Sequence, residues 1–565
     1  MKQVWILILI FSASGLSSSN TTTFLISAPE MLHAGAPTPL AVTLFSDFSA
    51  SVTAELVHGN TKVALTQNFQ GGSTSVVFLP PLPGSIPDNS LLKLNVWGYK
   101  DNRIIFANTT DITFSHRNVS SFIQTDRSSY RPGSTIKIRV VFIQLDNRPY
   151  RGKLNISLQD PSGETAAKWE STGNLGIFVQ QFALPPKCPL GKWMITTAEN
   201  DATDKKAFTV EEPVAEAPRF EVLVKTSPWV LAGDDIPGSV RALYRSGQPV
   251  QGTLEVNLTY NIATSSPPSF LQVKQTKKIY GSAQFIFSKD QLQGLQSTAG
   301  SRDSVVVHIS ARVHDPSTGY EVNKSAEVHI THSPYQLQFL HFSQPLKPSL
   351  DFSARLQISR YDKRPLGLEE LLNSAVVEVT QTDSSRNAKN TTLMLPVAEN
   401  GTAKVQFKLQ EHIAALFITA KFRASQQSLT LYNNYSSPSG SYVQISHDSE
   451  TPAQIGSPLQ LNVESTFKLG SLQYVVSSKG QVVAAGTKNS SSFSLTPDLS
   501  WSPQACVTVY CLLSDGELIS DSVFIPIQKH NLVRSSLVKQ LVSLLGTPHL
   551  YPSIGILQLQ QMCHD

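Results

Sequence analysis

Thr135-Ile136-Lys137-Ile138-Arg139-Val140 and Gly252-Thr253-Leu254-Glu255-Val256-Asn257-Leu258 alternate polar and apolar residues with period two. That is the pattern of a strand with one face in a core and the other in water. Runs of the same kind, five to eight residues long, fill most of the chain. Between them stand turn signals: Arg131-Pro132-Gly133, Asp160-Pro161-Ser162-Gly163, Ser246-Gly247-Gln248-Pro249 and Ser514-Asp515-Gly516. Proline presets φ for the start of a turn and glycine accepts the left-handed conformation later in it, so each signal ends a short strand and returns the chain antiparallel. The reading is an all-β array of sandwiches. Helical periodicity is confined to Leu368-Glu369-Glu370-Leu371-Leu372, one or two turns, and to Asn531 to Leu545, a short amphipathic helix with Gly546 and Pro548 as stop signals.

A chain of 565 residues is too long for one core and suits about four or five domains. Hydrophobic residues are 40% and charged residues 16%, with 31 Gly and 34 Pro, which supplies several cores but punctuates the chain too often for long helices. The 46 Lys and Arg against 42 Asp and Glu give +4 spread over the whole length, neither a basic footprint nor an acidic tail, so no nucleic-acid partner is expected. A repeat of roughly 100 residues shows in opening strands at Thr23-Phe24-Leu25-Ile26, Ser121-Phe122-Ile123-Gln124, Arg219-Phe220-Glu221-Val222, Tyr335-Gln336-Leu337-Gln338 and Ser441-Tyr442-Val443-Gln444. Polar or Pro-rich joints lie at Glu211-Glu212-Pro213 to Pro218 and at Tyr435 to Gly440.

Met1-Lys2, the apolar run Val4 to Phe11 and then Ser12, Ala13, Ser14, Gly15 and Ser17 follow the charged, hydrophobic, small-residue order of a secretory signal peptide, residues 1–19, with cleavage expected near Ser17 to Ser19. No later stretch is apolar enough to span a bilayer, and the terminus at Met562-Cys563-His564-Asp565 lacks a glycolipid-anchor tail. The expectation is a secreted, extracellular glycoprotein with no stable membrane anchor in this chain. Asn-x-Ser/Thr occurs at Asn20, Asn108, Asn118, Asn155, Asn257, Asn323, Asn390, Asn400, Asn434 and Asn489, which are the candidate N-glycosylation sites.

Phe122-Ile123-Gln124-Thr125-Asp126, Tyr130 and Pro132-Gly133, with Lys137 and Arg139 on the next strand, resemble the second macroglobulin domain of the alpha-2-macroglobulin and complement family. The resemblance continues in order through Asp160-Pro161, Trp169, Gly176, Pro189-Leu190-Gly191, Trp193 and Phe220-Glu221-Val222. It then runs through Gly238, Tyr244, Gly247, Pro249-Val250, Gly252, Thr318-Gly319, Leu346-Lys347-Pro348, Tyr474-Val475-Val476-Ser477 and Gly480. Phe493-Ser494-Leu495-Thr496-Pro497, Trp501, Pro503, Ala505-Cys506 and Asp515-Gly516-Glu517 are nearest to the glycolipid-anchored, cell-surface member of that family. The resemblance implies a tandem array of five immunoglobulin/fibronectin-like macroglobulin β-sandwich domains at 20–116, 117–214, 215–333, 334–436 and 437–528, with 529–565 a divergent tail. Two departures stand out: Glu212-Pro213 and Ala217-Pro218-Arg219 replace the usual joint before Phe220, and the resemblance stops after Gln528. The tail reads as an alternative terminus.

Family function rests on a Gly-Cys-Gly-Glu-Gln thioester, which does not occur here; Cys188, Cys506, Cys511 and Cys563 have other contexts. Cys506 and Cys511, five apart on a strand, point to opposite faces about 17 Å apart, beyond disulfide reach. His329 and His332 fall on opposite faces of a strand, unlike the i, i+4 histidines of a helical zinc site, and read as surface histidines. Trp169 and Trp193 read as core, and Glu369-Glu370 as the cap or solvated face of a short helix. No catalytic residue, metal site or cofactor is expected, and the chain is read as a non-enzyme. The resemblance therefore implies a scaffold from an endopeptidase-inhibitor family that lacks the bait region and the thioester, with proteinases as family partners. The alternative it implies is a soluble ectodomain binding transforming growth factor-beta or its receptors.

Overall fold

A computed structural model describes residues 8–11, 24–145, 147–172, 176–199, 202–212, 220–262, 269–292, 305–342, 344–447 and 451–528. The helix read at Asn531 to Leu545, the tail, the joint at 213–219, Cys563 and Asn20 lie outside them. Among the described residues the fold is all-β apart from a single helical turn at Leu368–Leu371 and two 3-10 turns, Lys289–Leu292 and Leu499–Trp501. The chain gathers into two compact units, one formed by Met1–Glu211 with Val443–Asp565 and the other by Glu212–Tyr442.

The first unit contains three sandwiches. In the first, Phe24–Ser27, Thr38–Leu44 and Thr74–Leu79 form one sheet, with Ile8–Phe11 antiparallel to Phe24–Ser27 at its edge. The facing sheet runs Met31–His33, Arg103–Ser115, Leu91–Lys100, Ala50–His58, Thr61–Phe69. In the second, Val119–Thr125, Thr135–Gln144 and Ile177–Ala183 face the sheet Ser129–Tyr130, Ala202–Val210, Gly191–Glu199, Lys153–Gln159, Thr165–Thr172. The alternation read at 135–140 is met: Ile136, Ile138, Val140 and Phe142 are buried against Leu154, Ile156, Leu158, Trp193 and Phe208. Each such side chain contributes about 1.5–3 kcal/mol by leaving water. The Asp160 turn closes as its residues dictate, with Asp160 Oδ1 accepting from Ser162 N at 2.9 Å and Glu164 N at 3.0 Å while Gly163 takes φ +89°. The last sandwich pairs Val443–His447, Leu459–Ser465 and Ser492–Leu495 over the sheet Gln481–Lys488, Leu472–Ser478, Gln504–Leu512, Leu518–Pro526.

The second unit contains two sandwiches. The third sandwich is one continuous eight-stranded sheet that wraps its own core, in the order Phe220–Thr226, Ile236–Tyr244, Ser282–Phe287, Ser269–Tyr280, Gln251–Ile262, Val305–Asp315, Tyr320–Thr331, Trp229–Leu231. The two layers join where Tyr280 pairs with Ser282 across Gly281, at φ +67° with Pro249 Cβ 2.7 Å from where a Cβ would stand. Only glycine fits that corner. In the fourth sandwich Tyr335–Leu340, Asp351–Arg360 and Thr402–Lys408 face the sheet Ala388–Leu395, Ala375–Asp383, Ile413–Phe422, Ser425–Tyr432.

The expectation for Glu369-Glu370 holds in part. Glu370 does cap the turn, accepting from Gly367 N at 2.7 Å, but it is buried rather than solvated. It also accepts from Tyr335 OH at 2.8 Å and lies 3.5 Å from Arg360 Nε. Burial opposes ionisation of Glu370, and these donors outweigh it, holding the carboxyl below its usual range.

Candidate functional site at the junction of the first and last sandwiches

Strand Gln504–Leu512 should bury every second residue, and Ala505, Val507, Val509 and Cys511 do enter the last sandwich's own core. Thr508 and Tyr510, on the opposite face, are nevertheless buried too. The same breach occurs at Leu472–Ser478, where Gln473, Val475 and Ser477 are buried, and at Thr38–Leu44, where all seven residues are. A strand buried on both faces is covered by a second layer. Here the outer faces of the first and last sandwiches cover each other: Leu25, Ala41, Val475, Val482 and Tyr510 form an apolar cluster distinct from either core.

Most polar groups taken into that junction are satisfied, as burial demands, the exception being Ser27 Oγ, opposite Ala41, which is buried without a hydrogen-bond partner. Tyr510 OH and Thr43 Oγ1 lie 2.7 Å apart, and Thr43 Oγ1 is 2.7 Å from Thr74 Oγ1. Thr74 N donates to Thr487 Oγ1 at 2.9 Å, and the Phe45 ring meets Tyr510 edge-on at 6.3 Å. Burial pushes the Tyr510 phenol up from its usual pKa. At the rim Glu30 N donates to Gly480 O at 3.0 Å and Gln481 Nε2 to Met31 O at 2.9 Å. The second sandwich joins from the side: Asn147, in the left-handed region at φ +65°, donates through Nδ2 to Leu499 O at 3.1 Å and Ser502 O at 2.7 Å. Lys479 Nζ donates to Leu145 O at 3.0 Å and to Asn147 Oδ1.

A cavity of about 310 Å³ opens beside this contact, lined in part by Leu32, Pro37, Asn118, Leu145, Lys479 and Ser500. His33 also lines it, and burial holds its imidazole below the usual pKa despite a hydrogen bond with the Arg117 backbone. Nothing here makes a nucleophile and base pair, and among the described residues no three His, Cys, Asp or Glu converge to hold a metal. What the arrangement does is mechanical: it fixes the last sandwich against the first and second.

The other residues singled out in the sequence are dispersed. Asn323, Asn390, Asn400, Asn434 and Asn489 are exposed, while Asn108, Asn118, Asn155 and Asn257 are half-buried on or beside strands. Asn118 Nδ2 donates to Ala34 O at 2.6 Å, and Asn257 Nδ2 donates to Glu255 Oε1 at 2.9 Å. Cys188, Cys506 and Cys511 are free thiols; burial pushes Cys511 up to about 11. Trp193 is core and stacks on Phe208 at 6.2 Å, whereas Trp169 is only partly buried. His329 stacks on Trp229 at 4.4 Å, and His332 stands apart from it beyond the end of the strand. The junction residues themselves escaped the sequence reading. Their one signal was polar Thr43 and Thr508 set between apolar neighbours, Val42 and Leu44 in one strand and Val507 and Val509 in the other.

Three family models match the chain: the MG2 domain at residues 120–211, macroglobulin domain MG3 at 216–295, and the alpha-2-macroglobulin bait region domain at 443–540. Among curated proteins the chain is similar to thioester-containing protein 1 allele R1 of Anopheles gambiae, 23% identical over 388 residues, covering 67% of this chain and 27% of that protein. It is also similar to venom factor of Crotalus adamanteus, 23% identical over 449 residues, covering 74% and 26%. The chain thus spans about a quarter of the length of these relatives. Among solved structures, a Salmonella alpha-2-macroglobulin matches at 12% identity and TM-score 0.34, covering 93% of this chain and 47% of that one. Trypsin-activated alpha-2-macroglobulin from Escherichia coli matches at 14% and 0.38, covering 90% and 39%.

The bait-region match corrects one expectation. The sequence reading has the bait region missing and the resemblance ending at Gln528; instead a bait region domain matches residues 443–540. The reason is that period-two alternation reports a half-buried strand and nothing about which segment of a family the strand serves.

Proposed function

Because this chain belongs to the alpha-2-macroglobulin family, we propose that it is a secreted, non-enzymatic scaffold that presents a bait region to endoproteinases. The observation that carries the reading is that the sandwich opening the bait region domain is fastened to the first sandwich by Tyr510, Thr43 and the Leu25–Val475 cluster, and to the second by Asn147 and Lys479. A segment meant to be cut must be held by something that stays folded when it is. Among the described residues the last backbone pairing is Gln528 N to Ala453 O at 2.8 Å; the bait region match runs on to 540, and we assign the scissile bonds to its remaining residues, 529–540. With no Gly-Cys-Gly-Glu-Gln motif in the 565 residues, no covalent capture is assigned to this stretch.

Secretion is supported by the order of residues in 1–19 and by ten sequons, five of them on exposed side chains. Limited proteolysis tests the reading: the purified chain is treated with trypsin and elastase, and first cuts are mapped by mass spectrometry. First cuts within 529–540 that leave 24–528 intact are expected. First cuts spread evenly over the joints near 212 and 435 would remove the bait assignment.

Residues Phe493 to Pro497, Trp501 and Asp515-Gly516-Glu517 resemble the glycolipid-anchored cell-surface member of the family and favour a second reading, an ectodomain that binds transforming growth factor-beta or its receptors. Surface-plasmon measurement of transforming growth factor-beta on the immobilised chain tests it, with no binding at micromolar ligand counting against it.

A further inference from the structure

The fourth sandwich carries an exposed aromatic pair that its fold leaves uncovered. In the sheet Ala388–Leu395, Ala375–Asp383, Ile413–Phe422, Ser425–Tyr432, residues Val377, Val379, Ile418 and Ala420 enter the core. On the opposite face Phe417 and Tyr432 are 38% and 63% exposed, their rings 6.4 Å apart and edge-to-face. Around the pair that face is polar, with Thr392, Thr380, Thr419, Ser428 and the Lys421–Glu378 ion pair, while Met394, 73% exposed and opposite Val376, stands at the far end from Tyr432. Two aromatic rings in a polar surface are a place where something apolar but water-compatible would sit.

Register places a sequon beside the pair. Asn390, of the sequon Asn390-Thr391-Thr392, pairs with Thr380; Thr380 pairs with Phe417, and Phe417 with Thr430. Directly paired residues share a face, so Asn390 and Phe417 lie in one row, two strands apart, at about 10 Å. Tyr432, paired with Ala415, is in the next row of the same face. Thr380 Oγ1 donates to Asn390 Oδ1 at 2.8 Å, so the amide oxygen is the atom held against the sheet and Nδ2 is the atom presented for attachment. At Asn118 and Asn257 the arrangement is the reverse, with Nδ2 itself spent on a protein acceptor.

We propose that an N-linked glycan on Asn390 lies across this face, its two N-acetylglucosamine rings covering Phe417 and Tyr432. The span from Asn390 to Phe417 is about the length of those two sugars. The C–H face of a pyranose ring is apolar and stacks on aromatic rings while its hydroxyls stay hydrated, which matches aromatics set in a polar sheet. This inference rests on the reading that the chain is secreted.

The test uses the full chain made in a glycosylating secretory host. Glycopeptide mass spectrometry reads occupancy at each sequon, and hydroxyl-radical footprinting reads Phe417 and Tyr432 in the native chain, after enzymatic deglycosylation without denaturation, and in Thr392→Ala and Asn390→Gln. Occupied Asn390 is expected, with labelling of Tyr432 rising about threefold when the glycan is removed, since cover would take most of an otherwise 63% exposed side chain. Tyr280, 66% exposed elsewhere in the same unit, should not change. A bare Asn390 on a secreted chain whose other sequons carry sugar overturns the proposal. So does equal labelling with and without the glycan, which would leave the face to another partner. A chain retained in the cell with no sugar at any sequon would overturn the secretory reading itself.

Discussion

Tyr510→Ala tests whether the bait-bearing sandwich is held by the junction. The ring is 3% exposed and belongs to the apolar cluster between the sandwiches, not to the core of the last sandwich. Truncating a buried aromatic to alanine costs about 3–5 kcal/mol. Loss of its hydrogen bond adds only about 1 kcal/mol, because Thr43 Oγ1 keeps Thr74 as a partner and is not orphaned. That cost falls on docking, so the last sandwich, with its own core intact, should melt apart from the first. At about 4–8 °C per kcal/mol for a domain of this size, a loss near 4 kcal/mol lowers its transition by about 15–30 °C. Scanning calorimetry should show one joint transition split into two. Hydrogen exchange should rise in Phe24–Ser27 and Leu472–Ser478 and not in Val119–Thr125. Tyr510→Phe, which keeps the ring, should move the transition by only about 4–8 °C. An unsplit transition within about 4 °C of the wild type for Tyr510→Ala, the smallest shift that a kcal/mol gives at this size, would refute the argument.

Asp315, buried at the end of strand Val305–Asp315, accepts from Tyr244 OH at 2.6 Å, Ser317 Oγ at 2.6 Å and Thr318 Oγ1 at 2.5 Å. Burial opposes its ionisation, but those donors hold the carboxyl far below the usual range, so its contribution is present above about pH 4 and lost as pH falls. Asp315→Asn should destabilise the third sandwich by about 2–3 kcal/mol at pH 7, a difference that shrinks toward pH 2 in chemical denaturation. Glu370→Gln should cost the fourth sandwich about 1–2 kcal/mol by weakening the charged bonds to Tyr335 and Gly367, read as a lowered urea midpoint. Cys511, its thiol pushed up to about 11 by burial, should resist iodoacetamide at pH 8 in the native chain and react at once in guanidinium; fast native alkylation would contradict its place in the core.

Much of this was legible beforehand because local chemistry dictates it. Thr135–Gln144 and Gln251–Ile262 became strands with the alternating residues buried, since a half-buried strand must alternate. Asp160-Pro161-Ser162-Gly163 closed as an Asx turn because its residues have few other choices. Glu370 was seen as a cap, but not as a buried acceptor for Tyr335, whose hydroxyl arrives from 35 residues away. The continuous sheet of the third sandwich was not seen, because whether two layers join depends on the corner at Gly281 and on Pro249 beside it.

The junction marks the boundary between the two kinds of information. From residues alone came the strands and the faces that enter each core, because these follow from periodicity within a few residues, and the number of sandwiches, from chain length and the repeat of about 100 residues. Residues alone did not specify that Thr43 would meet Tyr510, 467 positions away. Alternation records that one face of a strand must be hidden, but a second buried face leaves no period of its own. It arises only when two finished sandwiches bring their outer sheets together, and there Tyr510, Val475 and Thr43 changed from surface residues into the contact that holds the bait region domain.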